Sequence, residues 1–400
     1  MKLGIIRESK VPADSRVPLN PAQCQAIMAS NPTIKIVVQP SPNRCFTDKE
    51  YRSVGIPMEE DLSDCAVLMG VKEVPTDLLL NDKIYFFFSH TIKKQSYNRG
   101  LLQSILTKNI QLLDYEVLTN ERKQRLIAFG VFAGMVGAHN AVWTYGQKTG
   151  LYELKRMKDF FDYAAAKEAY KDISLPPIRI VLTGGGRVAN GAASVLQDMD
   201  IIKVSADDFL TKDFRIPVFT QLDCHQYATR KDGSEFELQD FFDNPAKYQS
   251  SFAPYTKVSD IMINGIYWDN AAPAFFSIED MKQSDYNIKV IADVTCDIAP
   301  VSSIPSTLRA STIADPVFGF NPYTGHEVSP FQKAVVDMMT IDNLPNELPR
   351  DASTSFGEQF ITSVLQELKN KGNSDIIRRA TVTKDGELGE HFRYLEDYVG

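Results

Sequence analysis

The 400 residues carry 43 basic and 51 acidic side chains, a formal net charge of −8, and 44% hydrophobic residues. That apolar content can fill substantial cores, and the length favours two or three domains. No long basic block or aromatic–basic interleaving supports nucleic-acid binding; the scattered Cys24, Cys45, Cys65, Cys224 and Cys296 form neither a CxxC metal pattern nor a disulfide framework.

The chain opens on a strand-like run without a basic segment, apolar stretch and cleavage pattern, so the expectation is a cytoplasmic protein in a reducing compartment. Short apolar runs at 2–6, 34–38, 66–71, 84–88 and 110–113 predict strands. Polar stretches at 21–30, 48–54, 93–107 and 121–126 predict helices between them, which together suggest an α/β layer with a mainly parallel sheet. The most apolar region, 127–143, is interrupted by Gly130, Gly134, Gly137, His139 and Asn140 and is short for a membrane span. It reads as part of a buried helix over 127–147 crossing between lobes, and no membrane association is expected.

A helix is predicted over 154–170, a break over 172–177 and a strand over 178–182. A helix at 189–199 and strands at 201–204, 258–263 and 288–292 continue a second α/β unit. The polar, aromatic stretch 212–253 reads as a loop-rich insertion, and 359–371 as a strong helix returning to the first lobe. The expected division is an N-terminal substrate and catalytic lobe at 1–135, a dinucleotide-binding lobe at 136–340, and a C-terminal segment at 341–400.

Residues 179–192 read RIVLTGGGRVANGA, a branched apolar run followed by Gly184-x-Gly186-x-x-Ala189. A strand, a tight turn and a helix start in that order can cradle a dinucleotide pyrophosphate. Gly184 permits the turn, Gly186 admits the phosphates, and Ala189 is small enough for helix and strand to pack. Arg187 joins them as a candidate cofactor contact. After the strand at 201–204 comes Ser205-Ala206-Asp207-Asp208, where an acid ordinarily binds the adenosine ribose. Ser205 suits either a ribose hydroxyl or a 2′-phosphate, and Asp207 either the ribose or a helix-start cap, so NAD and NADP both fit. The fold class expected is α/β, two Rossmann-like lobes with parallel sheets and an inter-domain active-site cleft.

Lys72, His90 and Glu116 sit at or just beyond apolar strands of the first lobe, after AVLMGV, YFFFS and LLDY. Strand C-termini of a parallel sheet share one edge, so such groups can converge. Singly, Lys72 could mark a surface strand end and His90 a local hydrogen bond; the repeated placement favours a pocket. A Lys–His pair suits proton movement coupled to hydride transfer, because each cation discourages protonation of the other. Arg16 can grip a substrate carboxylate bidentately, or be a surface arginine. In the second lobe Asp293 and Asp297 follow an apolar strand, as substrate or cofactor contacts or as turn caps. His225, His326 and His391 lack a ligand constellation, Lys93 and Lys94 are expected to face solvent, and no metal site is expected.

The segments SRVPLNP, LMGVKEV, FFFSHTIKKQ, LLDYE, IAFGVFAG, NGIYW, ADVTCDI and IDNLPNELPRDAS resemble, in order, the lysine-ketoglutarate reductase region of bifunctional aminoadipic semialdehyde synthases. They are also similar to lysine-forming saccharopine dehydrogenases and, more distantly, to alanine dehydrogenase and transhydrogenase. The resemblance covers almost all of these residues, and no long additional C-terminal saccharopine-oxidising unit is expected among them. It implies reversible coupling of L-lysine with 2-oxoglutarate to saccharopine, using NAD or NADP. It further implies Lys72 and His90 as the acid/base pair, Arg16 as the carboxylate grip, Glu116 as a pocket acid and Asp293 as part of the second-lobe site. Gly184, Gly186 and Ala189 would form the dinucleotide turn. An alanine dehydrogenase-like enzyme and a noncatalytic nucleotide-sensing protein are the alternatives; the oligomeric state is not implied.

Overall fold

Short branched and aromatic runs form strands buried on both faces, with helices or packed loops between them. The computed structural model describes residues 1–369 and 374–400, so 370–371 of the predicted C-terminal helix lie outside the described residues. These residues divide into two units: Met1–Phe129 with Pro349–Gly400, and Gly130–Leu348.

In the first unit the sheet order is Glu387–Leu388, Thr381–Lys384, Gln111–Asp114, Ile84–Phe87, Val67–Met69, Lys2–Ile5 and Lys35–Val38. The last five run parallel, while the two C-terminal strands add an antiparallel edge that the expectation of parallel sheets omitted. The helix Pro21–Ser30 starts on a capping box, Asn20 with Gln23, and Asp48–Ser53 on another, Thr47 with Glu50. The helix Pro349–Ser363 buries Phe356 and Phe360 against Phe86, Phe88, Tyr115 and Phe129.

Two predicted helices of this unit change. Residues 121–126 form no helix: Asn120 Oδ1 accepts the amides of Arg122 and Gln124, and Thr119 bridges Arg125 across the turn. A side chain that satisfies local amides competes directly with helix formation. The helix expected from 93 begins at Arg99, after two 3₁₀ turns at Thr91–Lys93 and Ser96–Asn98.

The second unit orders His326–Val328, Val317–Asn321, Val336–Met339, Val290–Asp293, Ile261–Asn264, Arg179–Thr183, Val218–Leu222 and Ile202–Lys203. The first two are antiparallel and the rest parallel. Val218–Leu222 corrects the reading of 212–253 as loop-rich: it is a sheet strand beside Arg179–Thr183. The remainder of that stretch holds the short helix Cys224–Tyr227, the hairpin Ala228–Arg230 with Tyr248–Ser250, and between its strands the helix Leu238–Asp243 and the 3₁₀ turn Pro245–Lys247. The helix predicted from 154 reduces to Tyr163–Tyr170, capped by Asp162.

Helix Gly130–Thr149 crosses helix Arg187–Asp198 at backbone contact. A Cβ on Gly134 would lie 1.8 Å from the Val188 carbonyl oxygen, and one on Gly191 2.1 Å from that of Val131. Neither neighbour is a side-chain end that can swing away. Gly134→Ala is therefore expected to destabilise the protein by about 3 kcal/mol, the upper range for overpacking, read as a lower urea midpoint at unchanged slope. An unchanged midpoint would contradict this crossing.

Candidate active site

Four neighbouring parallel strands of the first unit, Lys2–Ile5, Val67–Met69, Ile84–Phe87 and Gln111–Asp114, release the chain at one sheet edge. Within three residues each continues into a polar group: Glu8, Lys72, His90 and Glu116. The fully buried Asp114 ties two of these exits together. Its Oδ2 accepts the Ser89 hydroxyl at 2.5 Å and the Ser89 amide at 3.0 Å, and its Oδ1 accepts the Glu116 amide at 2.8 Å. Burial pushes the Asp114 carboxyl up to about 6 against those bonds.

His90, next to Ser89, takes a left-handed backbone at φ 55°, uncommon outside glycine. Its Nδ1 lies 3.8 Å from Glu116 Oε2, which accepts no hydrogen bond of its own. Glu116 Oε1 instead pairs with Lys93 at 3.0 Å and with Arg125. Burial pushes the Glu116 carboxyl up, but Arg125, Lys93 and His90 together draw it below the ordinary carboxylate range. Lys93 is thus an ion-pair partner as well as a half-exposed side chain.

Burial lowers the Lys72 pKa, and the nearby Arg16 and Lys10 lower it further against Asp14 and Glu73. Burial also lowers His90, with the Lys72 charge the next cause, opposed by Glu73 and Glu116. The two bases therefore share one electrostatic environment, each biased toward its neutral form. Arg16 is buried; its Nε and Nη2 donate to Asp14 at 3.0 and 2.6 Å, and its guanidinium stacks 4.3 Å over the Phe129 ring. Lys10 pairs with Glu73. Sequence reasoning passed over Glu8, Lys10, Asp14, Glu73 and Asp114, although Glu73 and Asp114 lie within LMGVKEV and LLDYE and the other three just precede SRVPLNP.

In the second unit the strand Arg179–Thr183 ends on Gly184 at φ 103°, where a Cβ would lie 2.9 Å from the Gly265 carbonyl oxygen. Gly186 caps the helix Arg187–Asp198 with no side-chain hydrogen bond, and a Cβ there would meet nothing within 4 Å. Gln221 braces the turn, donating to the Gly184 carbonyl at 3.0 Å and to Asn190 Oδ1 at 3.1 Å. Ala189 is fully buried and Arg187 exposed. An open helix N-terminus with no side-chain cap, beyond a strand, fits a dinucleotide pyrophosphate.

Of the two strands flanking Arg179–Thr183, Ile261–Asn264 and Val218–Leu222, the second ends on the exposed Asp223. Ser205 and Asp207 lie one strand farther out. Ser205 Oγ caps the helix Ala206–Thr211, accepting the Asp208 amide at 3.1 Å, and Asp207 stands in that helix's first turn. The acid at the end of the strand beside the turn is Asp223, which caps the short helix Cys224–Tyr227 with Gln226 and whose Oδ1 would sit 2.7 Å from a Cβ on Gly185. Asp293 is fully buried: Oδ1 accepts from Asn264 at 2.9 Å and Oδ2 from Thr307 at 2.6 Å. Asn264 accepts in turn from Thr183 at 2.8 Å, so this network locks three strand ends. Asp297 is separate and partly exposed; burial raises its pKa.

Among the described residues, no group of three or more His, Cys, Asp or Glu could hold a metal ion, and no helix is long and apolar enough to cross a membrane.

Residues 4–136 match the family described as alanine dehydrogenase/PNT, N-terminal domain. The mouse mitochondrial α-aminoadipic semialdehyde synthase is 27% identical over 98% of this chain and 47% of its own length. The chain thus spans about half the length of such relatives. A saccharopine dehydrogenase [NAD(+), L-lysine-forming] of Emericella nidulans is 27% identical over 95% of each chain. An L-alanine dehydrogenase structure superposes over the full length of both chains with a TM-score of 0.66 at 14% identity, a likeness of fold.

Proposed function

We propose, from the convergence of these matches on the saccharopine dehydrogenase/α-aminoadipic semialdehyde synthase family within the alanine dehydrogenase/transhydrogenase superfamily, that the chain is an NAD(P)-dependent oxidoreductase. Its proposed reaction reversibly couples L-lysine with 2-oxoglutarate to give saccharopine. The observation that carries this reading is the Lys72–His90 pair, held at one sheet edge with the pKa of both lowered.

The chemistry needs a neutral amine, a protonated leaving oxygen and a site that tolerates both. The substrate ε-amine attacks the ketone to form a carbinolamine, which loses water to give an imine. Lys72 accepts and returns the amine proton, while His90 exchanges a proton with the carbonyl oxygen and the departing water. Arg16 binds a substrate carboxylate, with Asp14 fixing the plane of its guanidinium. Glu116 Oε2 steadies the charge on His90 when it is protonated. Gly184, Gly186, Arg187 and Ala189 form the dinucleotide turn, and Asp223 receives the ribose hydroxyls. When bound, the dinucleotide supplies the hydride that reduces the imine carbon. Asp293 acts by holding the strand ends rather than by touching substrate. Asp223 favours NAD, since a carboxylate there repels a 2′-phosphate.

The test crosses lysine, ornithine and ammonia with 2-oxoglutarate and pyruvate, each with NADH and NADPH. Lysine with 2-oxoglutarate and NADH is expected to give the highest kcat/KM. Highest turnover with pyruvate and ammonia would assign an alanine dehydrogenase-like reaction instead. Dinucleotide binding with no turnover in any combination would assign a nucleotide sensor.

A further inference from the structure

We propose that Glu8 is the positioning residue for Lys72: its carboxylate, carried on the exit of one strand, clamps the two consecutive amides that lead into the lysine at the exit of the neighbouring strand. This rests on the reading of Lys72 as a proton-transfer group. The Val71 amide donates to Glu8 Oε1 at 2.6 Å and the Lys72 amide to Oε2 at 2.9 Å, so two consecutive peptides end on the two oxygens of one side chain.

The surroundings leave the amides of Val71 and Lys72 to that clamp, while the Val71 carbonyl and the Gly70 amide stay tied to the neighbouring strand. Regular pairing ends at Met69, after which the Gly70 amide donates to the Phe86 carbonyl at 2.9 Å and the Val71 carbonyl accepts from Phe88 at 3.0 Å. Glu8 supplies acceptors for the amides of Val71 and Lys72. The approach is close: a Cβ on Gly70 would lie 2.8 Å from Ile6 Cδ1 and 3.3 Å from Glu8 Oε1. Asp14 and Arg16 from the N-terminal segment, Arg44, and Tyr115 from beyond Gln111–Asp114 are the charged and titratable groups that interact with this carboxylate.

The clamp is sensitive to protonation. Burial pushes Glu8 up to about 7, against the pull of the two amides and of Arg16, with Asp14 adding to the rise. An ionised carboxylate accepts through both oxygens, whereas the acid turns one into a hydroxyl donor. Glu8 therefore holds both amides above this pH and one of them below it, the Val71 carbonyl keeping its bond from Phe88 throughout, and turnover should rise with pH through the same interval.

The experiment compares Glu8→Gln and Glu8→Ala with the parent. Gln keeps the shape but sets its NH₂ against one of the two amides, so it isolates the clamp from side-chain volume. We expect kcat to fall by about 10-fold to 100-fold, the scale of a misplaced catalytic group, with NADH affinity unchanged and the limb near pH 7 gone from the Gln variant. Hydrogen exchange at the Val71 and Lys72 amides should accelerate, while Leu68 and Phe86 keep their protection. This readout does not need turnover: faster exchange in a protein inactive with lysine and 2-oxoglutarate would support the clamp while the proposed reaction fails. Unchanged exchange at both amides, or faster exchange with full kcat and an intact pH limb, would overturn it.

Discussion

Lys72→Met should lower kcat for reductive coupling by about 10²-fold to 10⁴-fold, the range for loss of a general acid or base, while dinucleotide affinity stays as in the parent. Lys72 is part of the first unit, and the glycine turn proposed for the dinucleotide is part of the second. His90→Gln should behave alike, and the double variant should lose far less than the product of the single losses, since the two act on one proton inventory. The substitution also has a sign that can be read without turnover. The Lys72 ammonium depresses the His90 pKa, so its removal must raise it. Histidine proton shifts followed by NMR against pH should show that rise in Lys72→Met; a fall, or kcat equal to the parent, would dismiss the pair.

Asp223→Ser should change which dinucleotide is used. A carboxylate taking ribose hydroxyls contributes the strength of a charged hydrogen bond, so its loss should raise the Kd for NADH by about 10-fold to 100-fold. NADPH should bind more tightly than before, because the like-charge repulsion at its 2′-phosphate is gone. Ser205→Ala should leave both affinities unchanged, since Ser205 caps the next helix out. Fluorescence titration of the reduced dinucleotides measures all four numbers, and a Ser205→Ala effect exceeding that of Asp223→Ser would return the ribose to the outer strand.

Much of the first unit was legible because its strands are bounded apolar runs, so the exits before Lys72, His90 and Glu116 could be located by where hydrophobicity stops. The carboxylates beneath them were not, because Glu8 and Asp114 look like ordinary polar residues until sheet order brings their amide partners within reach. The glycine turn was readable from its spacing. The strand beside it was not, since sheet order decides which strand lies next to the turn. Val218–Leu222 hides in a polar stretch, and the chain passes through the outer strand first. Val336–Met339 was obscured by Asp337, a carboxylate in mid-strand that is buried against Lys148 at 3.1 Å. The false helix at 121–126 shows a local competition that composition does not reveal, an asparagine side chain taking the amides that a helix would need.

The most direct test of the central claim follows the nitrogen. Lysine labelled with ¹⁵N at the ε position is mixed with 2-oxoglutarate and NADH, and the product is examined by mass spectrometry and ¹⁵N NMR. The account predicts one labelled secondary amine joining the two carbon skeletons for each NADH oxidised, and loss of that product in Lys72→Met. NADH oxidation in which the label stays on unreacted lysine would contradict it.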